Sequence, residues 1–187
     1  MNSSTFVAAL AAFAGAMVTG WALQTVDLGH APWYISRASG LVAFALLSGS
    51  VILGLLISTK SPKPLISRPL AFDLHQYLSI LALTFTAIHA GSLLFDSFLQ
   101  FSPVGVLVPF AGSYRPAARG AGIIAAWLTA LVTASFWARK RIGYAAWRRF
   151  HYASFAAYIL ALGHAVPAGT DSALPLVGWL YILSAAT

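Results

Sequence analysis

The sequence predicts an all-α protein: a polytopic membrane helical bundle of six transmembrane helices, forming a single domain over residues 1–187. Three observations predict it. Hydrophobic residues make up 59% of the chain and charged residues 8%, against about 25% charged in a soluble domain, so the chain cannot cover itself with charge. The apolar residues gather in six stretches, 5–23, 35–58, 70–95, 119–137, 144–166 and 174–186, and a spanning helix needs about 20 such residues. The basic residues concentrate in alternate connections, as loops on the cytoplasmic side do.

The first stretch is rich in small apolar residues but lacks the basic n-region of a secretory leader, and is expected to span. The second follows Trp33 and Tyr34, aromatics suited to a membrane interface, and carries Arg37 at its outer end. Lys60, Lys63 and Arg68 lie between the second and third stretches. Arg139, Lys140, Arg141, Arg148 and Arg149 surround the turn between the fourth and fifth. If six helices alternate, both basic groups share one side, cytoplasmic by this rule, and so do both termini. The other loops carry Asp27, His30, Arg37, Asp96, Arg115, Arg119 and Asp171, a nearly balanced set.

The connection over residues 97–116 falls on the outer side, where Pro103, Pro109 and Pro116 preclude a long helix. It is too apolar for a solvated loop and is expected to lie along the interface or fold over the bundle. The sixth stretch is short, as a tilted or truncated helix would be. The formal net charge of +7 resides in topology-setting loops, so no nucleic-acid partner is expected.

The chain has no cysteine. Disulfides, thiolate-held iron–sulfur clusters and covalent c-type haem are thereby excluded, and any redox cofactor needs other ligands. Histidine supplies them. Four of five histidines fall in two apolar stretches: His75 and His89 in the third, His151 and His164 in the fifth. Ionisable residues in spanning helices are costly and mark function.

His75 and His89 are fourteen positions apart, about 21 Å of helix, and fourteen steps return to within roughly 40° of the starting direction. His151 and His164 are thirteen apart, about 20 Å. The heights match, so each pair of neutral imidazoles can bridge one haem iron, with the macrocycle filling the gap between helices. The third and fifth stretches run the same way. The expected pairing is therefore parallel, His75 with His151 on the cytoplasmic side and His89 with His164 on the outer side, for two b-type haems per chain. Thirteen ideal steps leave the second pair of histidines about 140° out of register, which calls for a π-bulge, a twist near Gly163, or haems approaching from different sides. A lone core histidine is ordinarily a hydrogen-bonded packing residue; four at matched heights on two helices point to haem. Zinc or copper fits less well, because the members of each helix pair are too far apart to share an ion and no thiolates accompany them. His30, in an outer loop, is expected to be an exposed polar residue.

These residues resemble the ferric-reductase-like transmembrane domain superfamily, which includes ferric reductases, NADPH oxidases and the haem membrane subunit of the bacterial methionine sulfoxide reductase system. The resemblance runs from Trp33 to Asp171 through WYISRASGLVAF, DLHQYLSILALTFTAIH, PFAGSYRP, WRRFHYASFAAYILALGH and HAVPAGTD. It implies His75, His89, His151 and His164 as haem ligands, with electrons entering from the cytoplasm and leaving at the outer face. It also implies an oxidoreductase component of a bacterial inner (cell) membrane. Larger members append a flavin and NAD(P)H module after the sixth helix. This chain carries no G-x-G-x-x-G behind a strand, so the expected donor is a separate cytoplasmic flavoprotein reductase or a quinol.

Arg37 is placed to meet an outer propionate or an anionic acceptor, and Arg148 and Arg149 to meet inner propionates. Asp73 and Gln76 flank His75 but reach its second nitrogen only through unusual helix geometry. The expected acceptors are ferric iron, oxygen or a periplasmic enzyme. The alternatives are the haem membrane subunit of a periplasmic methionine sulfoxide reductase system, or a non-redox scaffold or proton channel.

Overall fold

The structure is a computed structural model and describes residues 29–59, 66–97, 99–169, 171–172 and 174–185. The first apolar stretch, Asp27, Lys60 and Lys63 lie outside the described residues. Among the described residues the chain is helical: α1 Ala31–Ser58, α2 Arg68–Ser92 with a 3₁₀ turn Leu93–Phe95, α3 Pro103–Leu107, α4 Pro116–Ile142, α5 Tyr144–His151, α6 Ala153–Ala168 and α7 Pro175–Ala185.

Proline sets most of the starts. Pro32, Pro69, Pro103 and Pro116 each occupy the first turn of a helix, where a missing N–H costs nothing and the fixed φ favours entry. The prolines of the outer connection thus begin helices as well as break them: α3 starts at Pro103, with Ser102 accepting from Gly105 N at 3.0 Å, and α4 starts at Pro116. The segment folds back along α4, where Trp127 Nε1 donates to Leu107 O at 3.0 Å. Its Val104, Leu107 and Phe110 stay exposed, as suits an interface.

α4 ends at Gly143, whose φ of 84° reverses the chain without a Cβ penalty. The basic residues Arg139, Lys140 and Arg141 fill its last turn, complementing the negative end of the helix dipole.

The helices over Ala31–Ser58, Arg68–Phe95 and Pro116–Ile142 are long and apolar enough to cross a membrane, with mean hydropathy 2.4, 1.8 and 1.7. The fifth stretch is not one helix. It breaks at Tyr152, where Tyr152 N bonds Arg149 O at 3.3 Å and Phe155 N bonds Tyr152 O at 3.1 Å, so neither α5 nor α6 alone has the length of a span. Six crossings are thus not established by the described residues.

α1 packs along α2, and α4 along α6, while α2 and α6 do not approach each other closely. The buried core joins α1, α6 and α7: Phe44 stacks on Tyr158 at 5.9 Å and meets Tyr181 edge-on at 5.4 Å, contacts of about 0.5–1.5 kcal/mol each beyond burial. Tyr158 Oη donates to Ser184 O at 2.6 Å. Buried Ser39 and Ser48 donate to carbonyls one turn back, so their hydroxyls are satisfied without water, as a bilayer requires.

Candidate functional site

The gap between α2 and the α5–α6 segment is bridged by histidines. His75 faces His151 with ring centroids 6.1 Å apart, and His89 faces His164 at 6.0 Å, both at 69° between ring planes. The parallel pairing expected from the sequence is the one the structure brings together.

Behind three of these rings the helices repeat one device. His75 Nδ1 lies 2.8 Å from Ser50 O, His89 Nδ1 2.8 Å from Ser36 O, and His164 Nδ1 2.9 Å from Ala118 O. A carbonyl only accepts, so each Nδ1 carries the proton and, in the neutral ring, each Nε2 keeps its lone pair. Four residues after each carbonyl stands a glycine. A Cβ at Gly40 would lie 2.8 Å from His89 Nδ1, one at Gly54 3.3 Å from His75 Cε1, and one at Gly122 2.7 Å from His164 Cγ. Side chains on a helix cover the turn N-terminal to them, so a Cβ at Gly40 or Gly122 would push the ring from its carbonyl, while one at Gly54 would only touch it. The serines add a reciprocal bond: Ser36 Oγ donates to His89 O at 3.0 Å, and Ser50 Oγ reaches His75 O at 3.4 Å.

His151 lacks this device. Its Nδ1 is buried and has no hydrogen-bond partner among the described residues, as has Nε1 of Trp147, whose ring lies 5.2 Å from the His151 ring.

A histidine nitrogen binds a first-row metal at about 2.0 Å and the ring centre sits about 1 Å behind it, so one ion between two axial imidazoles sets the centroids about 6 Å apart. The observed separations fit. Among the described residues no three His, Cys, Asp or Glu side chains gather. Each pair offers two ligands, which suits an iron whose remaining ligands belong to a macrocycle. The orphaned donors of His151 and Trp147 are the kind of buried polar atom that a bound, carboxylate-bearing group satisfies.

The other candidates divide. Arg37 grips Asp171 with both Nε, 2.8 Å from Oδ2, and Nη2, so the edge expected to meet a propionate or acceptor instead ties α1 to the segment before α7. Arg148 and Arg149 are exposed, as is His30. Asp73 and Gln76 do not orient His75, whose Nδ1 faces Ser50. The basic residues Arg68 and Arg139 to Arg149 share the end holding His75 and His151, since Phe72 and Phe136 meet there at 6.1 Å. Arg37 and Asp171 lie at the His89 and His164 end. Sequence reasoning passed over Ser36, Gly40, Ser50, Gly54, Ala118 and Gly122. One signal was available: Ser-x-x-x-Gly occurs at 36–40 and again at 50–54, the same fourteen-residue offset as His75 and His89.

The family model described as ferric reductase like transmembrane component matches residues 39–162, about two thirds of the chain. No curated protein and no solved structure matches it.

Proposed function

We propose, from the premise that this chain belongs to the ferric reductase-like transmembrane component family, that it carries electrons across a bilayer on two b-type haems. One would be held by His75 and His151, the other by His89 and His164. The family match and the three span-capable helices make it an integral membrane protein.

The observation that carries this reading is the two pairs of facing imidazoles at 6.1 and 6.0 Å, three of the four rings holding a backbone carbonyl through Nδ1 and so leaving Nε2 as the free lone pair. When bound, the haem supplies reversible one-electron chemistry at iron. The rest falls to the chain. The carbonyls of Ser36, Ser50 and Ala118 hold the rings at one orientation and raise their basicity. The apolar helices keep water from the gap, and α1 and α4 set the heights of the two sites.

The basic end is cytoplasmic by the distribution of Arg and Lys, and there Arg139, Lys140, Arg141, Arg148 and Arg149 form a dock for an acidic donor. A flavoprotein reductase fits that role better than a quinol, which needs no cationic surface. Electrons leave at the His89 and His164 end for an outer-face acceptor in a bacterial cell membrane. The test is a visible spectrum of purified protein, oxidised and then dithionite-reduced, with pyridine haemochrome analysis. A low-spin bis-histidine spectrum with a haem-to-protein ratio near two is expected. A fully supplied preparation with no haem, or with one per chain, overturns the assignment.

A further inference from the structure

We propose that the outer connection builds a carboxylate-binding site on Arg119, next to the His89 and His164 pair; the placement of that site on the electron path rests on the function proposed above. Between residues 99 and 119 the chain forms an open cleft of about 380 Å³, lined by Gln100, Phe101, Ser113, Tyr114 and Arg119 among others. Arg119 Nε and Nη2 are buried and have no hydrogen-bond partner among the described residues. Its guanidinium carbon lies 5.3 Å from the centre of the Phe101 ring, a contact that steers a cation but leaves its N–H edge unpaired.

Two buried donors left without an acceptor are costly, and the identity of the two orphaned atoms names the ligand. Nε–H and Nη2–H form the edge that meets a carboxylate bidentately. The same chain shows that grip in use, for Arg37 holds Asp171 through Nε and Nη2. No carboxylate of the described chain is in place for Arg119. Asp171 is held by Arg37, Asp96 Oδ1 accepts from Leu99 N at 2.7 Å, and Asp73 belongs to the opposite end.

Two further observations show a built site. Among the described residues, those with positive φ other than glycine are Gln100, Phe110 and Arg115, all in this connection, and such strained backbone clusters at functional positions. Glycines also make room for the parts: a Cβ at Gly112 would collide with the Arg119 guanidinium, and one at Gly120 with the Phe110 ring. Arg119 shares the first turns of α4 with Ala118, whose carbonyl holds His164 Nδ1, so the site lies at the end of the bundle that carries the outer histidine pair.

The carboxylate has two possible sources, a propionate of the outer haem or a free carboxylate arriving with the acceptor. Purified haem-loaded wild type and Arg119→Gln in detergent are compared in two arms: citrate affinity by equilibrium dialysis, and haem content with a spectroelectrochemical titration. A free carboxylate site gives wild-type citrate binding that falls about thirtyfold or more in the variant, with haem content and potentials unchanged. A propionate site gives no such citrate effect, but the variant loses one haem or lowers the potential of one haem alone, since a nearby positive charge favours the reduced, less positive iron. If both citrate affinity and both haems are unchanged, the proposal is wrong. Wild type that carries no haem would defeat the proposed function, yet the citrate arm still decides the Arg119 site. Should Arg119→Gln fail to fold, Arg119→Lys keeps the charge, lacks the bidentate edge, and takes its place in both arms.

Discussion

Adding one methyl group at each glycine near a histidine tests whether the glycines exist to seat the rings. Ordinary contact begins at 3.4 Å. A Cβ at position 122 would stand 2.7 Å from His164, so that ring must retreat by about 0.7 Å; at position 40 the figure is 2.8 Å from His89 and about 0.6 Å of retreat. At position 54 the distance is 3.3 Å from His75 and the retreat about 0.1 Å. A cofactor site holds its geometry to within about 0.5 Å. Gly122→Ala and Gly40→Ala therefore exceed the tolerance, each also costing about 1–3 kcal/mol of overpacking, while Gly54→Ala stays inside it. Gly163 meets nothing within 4 Å, and Gly163→Ala should be neutral or stabilise by about 0.4–1 kcal/mol. The assay is pyridine haemochrome analysis of the four purified variants, with reduced-minus-oxidised spectra to see which haem is affected. Gly122→Ala and Gly40→Ala should both lose or perturb the outer haem, their ratios falling from near two toward one, and the other two should match wild type. Full haem loading in Gly122→Ala, or haem loss in Gly163→Ala, would refute the reasoning.

Four other outcomes follow from the geometry. In potentiometric titrations His75→Ala and His151→Ala should abolish the same component, and His89→Ala and His164→Ala the other; matching effects of His75→Ala and His164→Ala would break the pairing. Ser36→Ala and Ser50→Ala keep the backbone carbonyl that holds Nδ1, so both should retain haem while losing about 0.5–1.5 kcal/mol in thermal unfolding. Asp171→Asn should lower stability by about 1 kcal/mol, since the pair with Arg37 is partly exposed and screened, and leave haem content unchanged by absorbance. Haem reduction by an acidic flavoprotein donor should slow as salt rises from 0.05 to about 0.5 M, because steering by the basic end is screened over a Debye length; a stopped-flow rate indifferent to salt would remove that docking face.

Much of this was legible in the sequence, and what was not has physical causes. The apolar stretches and their prolines located α1, α2 and α4 because a bilayer demands long apolar runs and proline enters helices at their first turn. The break at Tyr152 was hidden, since neither Tyr152 nor Ala153 interrupts a helix by propensity. The link from Arg37 to Asp171 spans 134 positions, beyond any local pattern. His151 and His164 presented a register problem because thirteen steps were counted along one ideal helix. They sit on two helices, and the i to i+3 bonds at the junction turn the chain by about 120° per residue in place of 100°. That overwinding advances His164 in the direction the pairing needs.

The histidine pairs were visible because side chains announce themselves, whereas their tethers are main-chain carbonyls and carry no residue name. What the sequence does record is the absence of a side chain: glycine four residues beyond each carbonyl, at positions 40, 54 and 122. The ring is thereby fixed to a helix backbone, not to a flexible partner. Its position then depends on how α1 lies on α2 and how α4 lies on α6, the two most extensive helix packings among the described residues. Close-packed helices shift as rigid units, so a change in either packing moves a histidine ring at the far end of the contact. His151 is the exception: among the described residues no glycine backs it and no carbonyl holds its Nδ1, and it ends a short helix beside Trp147. Three of the four rings are set by helix packing, and the fourth by the turn that joins α5 to α6.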